Sequence, residues 1–203
     1  MSNKKQTGNT LQRREVVNAL LTERADLLVV AGLGAPAWDA TAAGDNPLNF
    51  PLWGGMGGAV MIGLGLALAQ PKKRVLVLTG DGEMLMGLGS LATVGVSRAK
   101  NLSVVVLDNE VYGETGKQST HTAFGVDLAA TAKACGFSVT STVTEEKDVA
   151  PLRAAIHDGA GPMFAQIKVA AEQMPLVLPP RDGAHLKNRF REALLGPLAH
   201  TQN

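Results

Sequence analysis

Several residue types are scarce in this sequence, and each scarcity excludes a class of protein. Cys135 is the one cysteine among 203 residues, which excludes a disulfide framework and any four-thiolate zinc or iron–sulfur site within the chain. Nineteen basic side chains balance eighteen acidic ones, so the composition offers no electrostatic footprint for nucleic acid or an anionic membrane. The length favours one α/β domain with a substantial core, and neither an internal repeat nor an interdomain linker is evident.

Long apolar runs are missing too. The most membrane-like stretch, AVMIGLGLALA at 59–69, falls well short of the ~20 residues that a bilayer-spanning helix needs, and we interpret it as a helix buried on every side. Residues 1–10 are polar and lack the apolar core of a secretory signal, so we expect a flexible N-terminus. These features predict a cytoplasmic protein that does not span a membrane.

Glycine is abundant by contrast, with 23 residues, about 11% of the chain against a usual ~7%. No collagen-like period explains this excess, so we expect tight turns and close backbone approaches. Apolar runs alternate with helical patterns, which predicts an α/β fold with a doubly wound, mostly parallel sheet flanked by helices. Strands are predicted at 27–31, 74–79, 102–107, 137–143 and 163–169, and helices at 11–24, 57–70, 83–99, 127–135, 145–157 and 185–195.

Two long segments, 32–55 and 108–123, are predicted to be irregular. We place one domain at 11–175 and a C-terminal tail with a short helix at 176–203. Ligands of doubly wound sheets bind beyond the carboxyl ends of the strands. In this sequence those ends are 32–34, 80–82 and 108–113, where the unusual residues gather.

The tripeptide Gly80-Asp81-Gly82 follows a predicted strand and opens a predicted helix. Its glycines allow the chain to turn and let backbone N–H groups approach an anion. An aspartate beside a diphosphate requires a bridging metal, and Mg²⁺ takes carboxylate or amide oxygens together with phosphates. Asp108-Asn109, at the end of the next strand, supplies a second oxygen ligand. For the tripeptide alone, an ordinary turn with an aspartate N-cap is the simpler alternative.

The segment GDGEMLMGLGSLATVGVSRAKNLSVVVLDN, which starts at Gly80, resembles the signature of thiamine-diphosphate enzymes, a GDG followed after roughly 25 residues by Asn-Asn. Here 25 residues separate Gly82 from Asp108, which replaces the first asparagine. The resemblance implies that Asp81, Asn109 and the backbone carbonyl of Val111 bind Mg²⁺.

A second segment, Trp53-Gly54-Gly55-Met56-Gly57, is similar to the family segment that meets the aminopyrimidine ring of the cofactor. The resemblance implies that Met56 wedges beneath the cofactor and that backbone groups of Gly54 and Met56 face the pyrimidine. The alternative for Met56 is a gap-filling core residue. The implied cofactor-binding set is Gly54, Gly55, Met56, Gly80, Asp81, Gly82, Glu83, Asn109, Val111, Tyr112 and Gly113.

Of the four histidines, His121 alone lies in a motif loop, and we assign it with Met56 to the catalytic residues. It is predicted to contact the substrate or relay a proton, with a solvated side chain as the alternative. Lys117 shares this loop and is predicted to meet an anionic substrate, with a solvated side chain as the alternative.

The resemblance extends over residues 16–169 and is strongest to the small subunit of sulfopyruvate decarboxylase and to the corresponding half of phosphonopyruvate decarboxylase. It implies a β subunit of a 2-oxoacid decarboxylase that is inactive alone. A separate α subunit would carry the pyrimidine-binding domain with its activating glutamate, in an α2β2 or higher heteromer. Residues 112–118 also resemble 2-oxoacid:ferredoxin oxidoreductase β subunits, but those carry several cysteines and this chain has one.

Two alternatives remain open: a carboligase or lyase that uses the same cofactor half, and a non-catalytic module that binds a nucleotide or a flavin. Two nucleotide motifs fit poorly, however. The segment 32–37 nominally matches G-x-G-x-x-A, but we expect Pro36 and a long loop in place of the helix, and no acidic residue ends a second strand. Gly116-Lys117-Gln118 lacks the Ser or Thr that ends a P-loop.

Overall fold

The computed structural model describes residues 11–201, and the predicted flexible segment 1–10 lies outside the described residues. Six parallel strands form one sheet in the order β2-β1-β3-β4-β8-β7. Their bounds are β1 Leu28–Ala31, β2 Asn49–Pro51, β3 Val75–Gly80, β4 Leu102–Asp108, β7 Val139–Val143 and β8 Met163–Lys168. Two short strands, β5 Val111–Tyr112 and β6 Gln118–Ser119, form a separate antiparallel pair.

Helices cover both faces of the sheet, so the predicted doubly wound α/β fold is confirmed. Their bounds are α1 Arg13–Leu21, α2 Ala35–Ala42, α3 Ala59–Ala69, α4 Asp81–Met86, α5 Ser90–Ser97, α6 Leu128–Ala134, α7 Val149–Asp158 and α8 Gly183–Leu195. Successive residues of a strand point to opposite faces. Accordingly, Val29 packs with α1 and α7, whereas Leu28 and Val30 pack with α3 and α5.

The prediction of one irregular segment at 32–55 is wrong, because this segment contains α2 and β2. Gly34, with a φ of 78°, turns the chain into α2, and Pro36 lies in the first turn, where a missing N–H costs no helical hydrogen bond. β2 is an edge strand, which tolerates Pro51. A helix therefore does follow the G-x-G-x-x-A match, although no acidic residue ends β2.

The single helix predicted at 83–99 is also wrong, because the chain breaks between α4 and α5 at Gly87-Leu88-Gly89. Gly87 packs directly on another backbone, since a Cβ at Gly87 would lie 2.2 Å from the carbonyl oxygen of Gly57. This close approach joins the end of α4 to the loop that carries Met56.

Helix α3 is buried on one side only, which corrects the expectation of burial on every side. Its Gly63 packs against Val77 of β3, whereas Met61, Ile62 and Leu68 are 42%, 40% and 58% exposed. Within residues 11–201, no helix is long and apolar enough to cross a membrane.

The segment that follows β8 crosses the carboxyl edge of the sheet. The N–H of Ala170 donates to the carbonyl of Leu11, and further along the carbonyl of Pro180 accepts the indole N–H of Trp53 at 2.7 Å. Helix α8 then packs Phe190 edge-on against Phe50 of β2. The domain boundary near residue 175 stays a prediction.

Candidate cofactor site

A cavity of about 410 Å³ lies at the carboxyl ends of β1, β3 and β4, where ligands of doubly wound sheets bind. It brings together most of the residues that the sequence predicts for cofactor binding: Met56, Gly80, Asp81, Gly82, Glu83, Asn109, Val111, Tyr112 and Gly113. Gly54, Gly55 and His121 are not among its lining residues.

Asp81 is the first residue of α4 and follows β3 directly. Its side chain is buried, and the hydroxyl of Thr120 donates to its Oδ2 atom at 2.5 Å. Burial, and then the nearby charge of Asp108, raise the pKa of Asp81 to about 7. The carboxylate therefore lies in an environment that does not fully compensate its negative charge.

Asp108, at the end of β4, is fully buried but well compensated. It accepts hydrogen bonds from the Thr122 hydroxyl at 2.7 Å and the Gln166 amide at 2.5 Å. It also forms an ion pair of 2.8 Å with the ammonium group of Lys168. These contacts give the aspartate that replaces the usual asparagine a structural role between β4 and β8.

The turn that follows β4 orients the next predicted residues. The N–H of Val111 donates to the side-chain oxygen of Asn109 at 3.1 Å. The ring of Tyr112 packs on Gly82, where a Cβ would come within 2.6 Å of a ring carbon. Gly82 must therefore be glycine for the two motif segments to meet.

The donor set at this edge fits Mg²⁺, which prefers hard oxygen ligands: the Asp81 carboxylate, the Asn109 amide oxygen and the Val111 carbonyl. The raised pKa of Asp81 is consistent with a carboxylate whose natural counter-charge is a bound cation. Within residues 11–201, no group of three or more His, Cys, Asp or Glu side chains could hold a metal ion. In proteins, Mg²⁺ usually completes its coordination with substrate phosphates and water.

Glu83 contributes a side-chain contact network that the sequence analysis missed. Its buried carboxylate accepts hydrogen bonds from the Thr79 hydroxyl at 2.9 Å, the Leu33 N–H at 3.1 Å and the Gly57 N–H at 3.3 Å. Burial raises the pKa of Glu83, although these hydrogen bonds oppose the increase. The available signal was an acidic residue immediately before the apolar run Met84-Leu85-Met86.

Met56 lines the cavity and is 38% exposed, so it is not an ordinary core residue. Gly55 and Gly57, with φ values of 70° and 93°, flank it in conformations that other residues rarely adopt. His121 is exposed at the start of a short 3₁₀ helix, beside the buried Thr120 and Thr122. The catalytic assignments of Met56 and His121 stay predictions.

Two other walls of the cavity are not predicted from the sequence. They come from the start of α1 and the β1–α2 turn, and from the segment after β8, with Arg13, Leu33, Ala35, Pro36, Trp38, Ala171, Glu172, Gln173, Met174 and Leu176. No motif marks these positions. The signal that could have found them is topological, because every segment that follows a parallel strand starts at this edge.

The parallel sheet and the cavity at its carboxyl edge are typical of a cofactor-binding α/β domain. Comparison with known proteins identifies the family to which this domain belongs. Residues 37–167 match the family model described as thiamine pyrophosphate enzyme, C-terminal TPP binding domain. The chain belongs to this thiamine pyrophosphate (thiamine diphosphate) enzyme family.

Named relatives cover most of the chain. Sulfopyruvate decarboxylase subunit beta of Methanothermobacter thermautotrophicus is 37% identical over 92% of this chain and 97% of its own length. Phosphonopyruvate decarboxylase of Streptomyces viridochromogenes is 36% identical over 87% of this chain but only 44% of its own length. The crystal structure of benzoylformate decarboxylase from Polynucleobacter necessarius matches with a TM-score of 0.68 at 19% identity, over 87% of this chain and 36% of that one, which supports the fold alone.

Proposed function

We propose that this chain is the β subunit of a heteromeric thiamine-diphosphate-dependent 2-oxoacid decarboxylase and binds the Mg²⁺-diphosphate half of the cofactor. The observation that carries this proposal is the pattern of coverage. The chain spans 97% of a relative named as a beta subunit, but 44% of a related decarboxylase in which one longer chain holds the equivalent segment. Sulfopyruvate and phosphonopyruvate, the 2-oxo acids in the names of these relatives, are the first substrates to test.

The chain's own residues have distinct tasks in this proposal. Asp81, Asn109 and the Val111 carbonyl hold Mg²⁺, and the backbone N–H groups of Gly82 and Glu83 bind diphosphate oxygens. Met56, which lines the cavity, would contact the bound cofactor. When bound, thiamine diphosphate supplies the electron sink that accepts the electron pair released as CO₂ leaves.

The position of Glu83 supports this division of tasks. Its carboxylate contacts backbone N–H groups from the β1–α2 turn and from the loop of Met56, both of which line the cavity. It thereby links the start of α4, where the diphosphate would bind, to the loop that carries Met56. Catalysis requires such preorganisation because a small misplacement of reacting groups is costly.

A partner chain is the second part of the proposal. The exposed apolar side chains Met61, Ile62 and Leu68 of α3 lie on the face away from the sheet, and Trp53 and Met56 are exposed just before them in the chain. Such a face is an aggregation liability when it stays open. We propose that an α subunit covers it and brings the pyrimidine-binding domain with its activating glutamate, in an α2β2 or higher heteromer in the cytoplasm.

The test is to express the chain with and without its partner chain and to measure CO₂ release from a panel of 2-oxo acids with thiamine diphosphate and Mg²⁺. We expect turnover only from the complex. Aldehyde coupling without net CO₂ release would identify a carboligase instead. Cofactor binding without any turnover from the complex would favour a non-catalytic module, and full turnover by this chain alone would overturn the half-enzyme proposal.

A further inference from the structure

Arg13, the first residue of α1, brings a buried guanidinium group to the wall of the cavity. Arg13 is only 7% exposed, and its Nε atom donates a hydrogen bond to the carboxylate of Asp39 on α2. A buried charge is costly unless it is paired and hydrogen-bonded. The neighbours of Arg13 therefore decide what this charge can do.

The charges around Arg13 do not balance. Asp39 is fully buried, and two guanidinium groups share it, since the Nε atom of Arg14 lies 3.1 Å from its Oδ1. Arg14 is not among the lining residues of the cavity, and its Nη2 donates to the Pro175 carbonyl at 2.9 Å. One carboxylate with two guanidinium groups leaves one positive charge in surplus, and only Arg13 of the two lines the cavity.

None of the acidic side chains that line the cavity forms an ion pair with Arg13; they are Asp81, Glu83, Glu114 and Glu172. Glu172 accepts a hydrogen bond from Gln12, and Glu83 accepts hydrogen bonds from backbone N–H groups. Lys117 is the other cation of the lining, exposed in the loop between β5 and β6. Within residues 11–201, neither terminal nitrogen of Arg13 has a hydrogen bond to a side chain or to the backbone.

From this geometry we infer that the terminal nitrogens of Arg13 bind a tetrahedral oxyanion group of the ligand that fills the cavity. The planar fork of a guanidinium group matches two oxygens of such a group better than a lysine does. The inference rests on the proposed function for the identity of the ligand. Two sources carry this chemistry: the terminal phosphate of thiamine diphosphate, and a sulfonate or phosphonate group on the 2-oxo acid.

The first experiment uses the full-length chain without metal. Inorganic diphosphate is titrated in EDTA at constant ionic strength, and tryptophan fluorescence is followed because Trp38 also lines the cavity. We expect Arg13→Gln to weaken anion binding at least about tenfold, as the loss of a charge-assisted hydrogen bond does. Arg14→Gln is the matched control, because Arg14 shares Asp39 but not the cavity, and it should bind as the wild type does.

The second experiment uses the complex with the partner chain and distinguishes the two sources. A higher Kd for thiamine diphosphate in Arg13→Gln, measured by calorimetry, would identify the cofactor phosphate as the group that Arg13 binds. A higher KM for sulfonated or phosphonated 2-oxo acids, with the KM for pyruvate and the cofactor Kd unchanged, assigns the substrate group. Equal anion, cofactor and substrate affinities in Arg13→Gln and Arg14→Gln would overturn the inference.

Two controls separate this inference from folding and from the proposed function. If Arg13→Gln fails to fold, Arg13→Lys decides, because it keeps the charge and loses the two-pronged geometry, and it should bind the anion more weakly than the wild type. Wild-type affinity in Arg13→Lys would then overturn the inference. A complex without decarboxylase activity would refute the proposed function, whereas the diphosphate titration would still test Arg13.

Discussion

The carboxylate of Glu83 accepts a hydrogen bond from the backbone N–H of Gly57 at 3.3 Å, although the two residues are 26 positions apart in the chain. Its second oxygen accepts the N–H of Leu33 at 3.1 Å. A single buried side chain on α4 thus connects the β1–α2 turn to the loop of Met56. This one carboxylate therefore links two walls of the cavity.

We therefore expect Glu83→Ala to destabilise the chain by about 2–4 kcal/mol, because two part-buried backbone N–H groups and the buried Thr79 hydroxyl lose their acceptor. Glu83→Gln keeps one oxygen acceptor and should cost clearly less. Urea unfolding measures the stability. Hydrogen exchange at residues 53–57 should quicken in Glu83→Ala, and unchanged exchange there would show that the loop does not depend on Glu83.

The pKa of Asp81 predicts a pH dependence of stability in the metal-free chain. Because folding raises this pKa from 3.8 to about 7, the contribution of the protonated group to stability is present below about pH 4 and is lost as the pH rises through 7. Asp81→Asn should remove this loss and stabilise the chain at pH 8 by at least about 1 kcal/mol, roughly one pKa unit. Urea unfolding in EDTA at pH 5 and pH 8 tests this; the same pH dependence in both proteins would contradict it.

Asp81→Ala should abolish the Mg²⁺-dependent binding of thiamine diphosphate and leave the fold intact. Without this carboxylate, the metal loses its one charged protein ligand, and the diphosphate loses its counter-charge. Calorimetry on the complex measures the affinity, and Asp26→Ala, at a surface ion pair with Lys73, is the control. Unchanged cofactor affinity in Asp81→Ala would rule out the metal assignment.

Met56→Ala should lower turnover in the complex while cofactor affinity stays largely intact, because the wedge sets the shape of the cofactor and does not hold its charge. Since Met56 is 38% exposed, the stability loss should stay below about 1 kcal/mol. Met84→Ala is the matched control: Met84 is 1% exposed, and its loss should cost about 2–5 kcal/mol. Equal turnover per folded enzyme in Met56→Ala would argue against the wedge.

The exposed face of α3 gives a prediction about assembly. Ile62→Lys places a charge in the proposed interface and should prevent assembly with the α subunit, because an unpaired buried charge is costly. The same change should leave this chain folded and less prone to aggregate alone. Val139→Lys, at a similarly exposed residue of the edge strand β7, is the control, and size-exclusion chromatography reads the outcome. Equal assembly of both variants would place the partner elsewhere.

The sequence predicts the parts of the fold whose signals are local. Runs such as LVVA and VVVL are apolar at every position, as is typical of a central parallel strand. The GDG tripeptide and Asp108-Asn109 directly follow predicted strands in the sequence. β2 carries Asn49 and Pro51, which disfavour strands, and is held by pairing with β1. Its existence therefore depends on tertiary context that no local pattern records.

The missed cavity residues have a related physical reason. Arg13 looks like any charged residue at the start of an amphipathic helix, and its role depends on Asp39, 26 positions away. Similarly, the break between α4 and α5 follows from the contact of Gly87 with Gly57. Spacing within a motif is visible in one sequence, whereas contacts between distant segments require the fold.

The segment that follows β8 sets the order in which the site can be completed during synthesis. The ribosome makes all six strands of the sheet before it adds residues 171–176, which form one wall of the cavity. The carbonyl of Pro180, which fixes the Trp53 ring near Met56, is made later still. Because chains are built from the amino end, residues 171–176 are the last part of the cavity lining to be made. A cavity with all of its walls therefore exists only after this segment has been added.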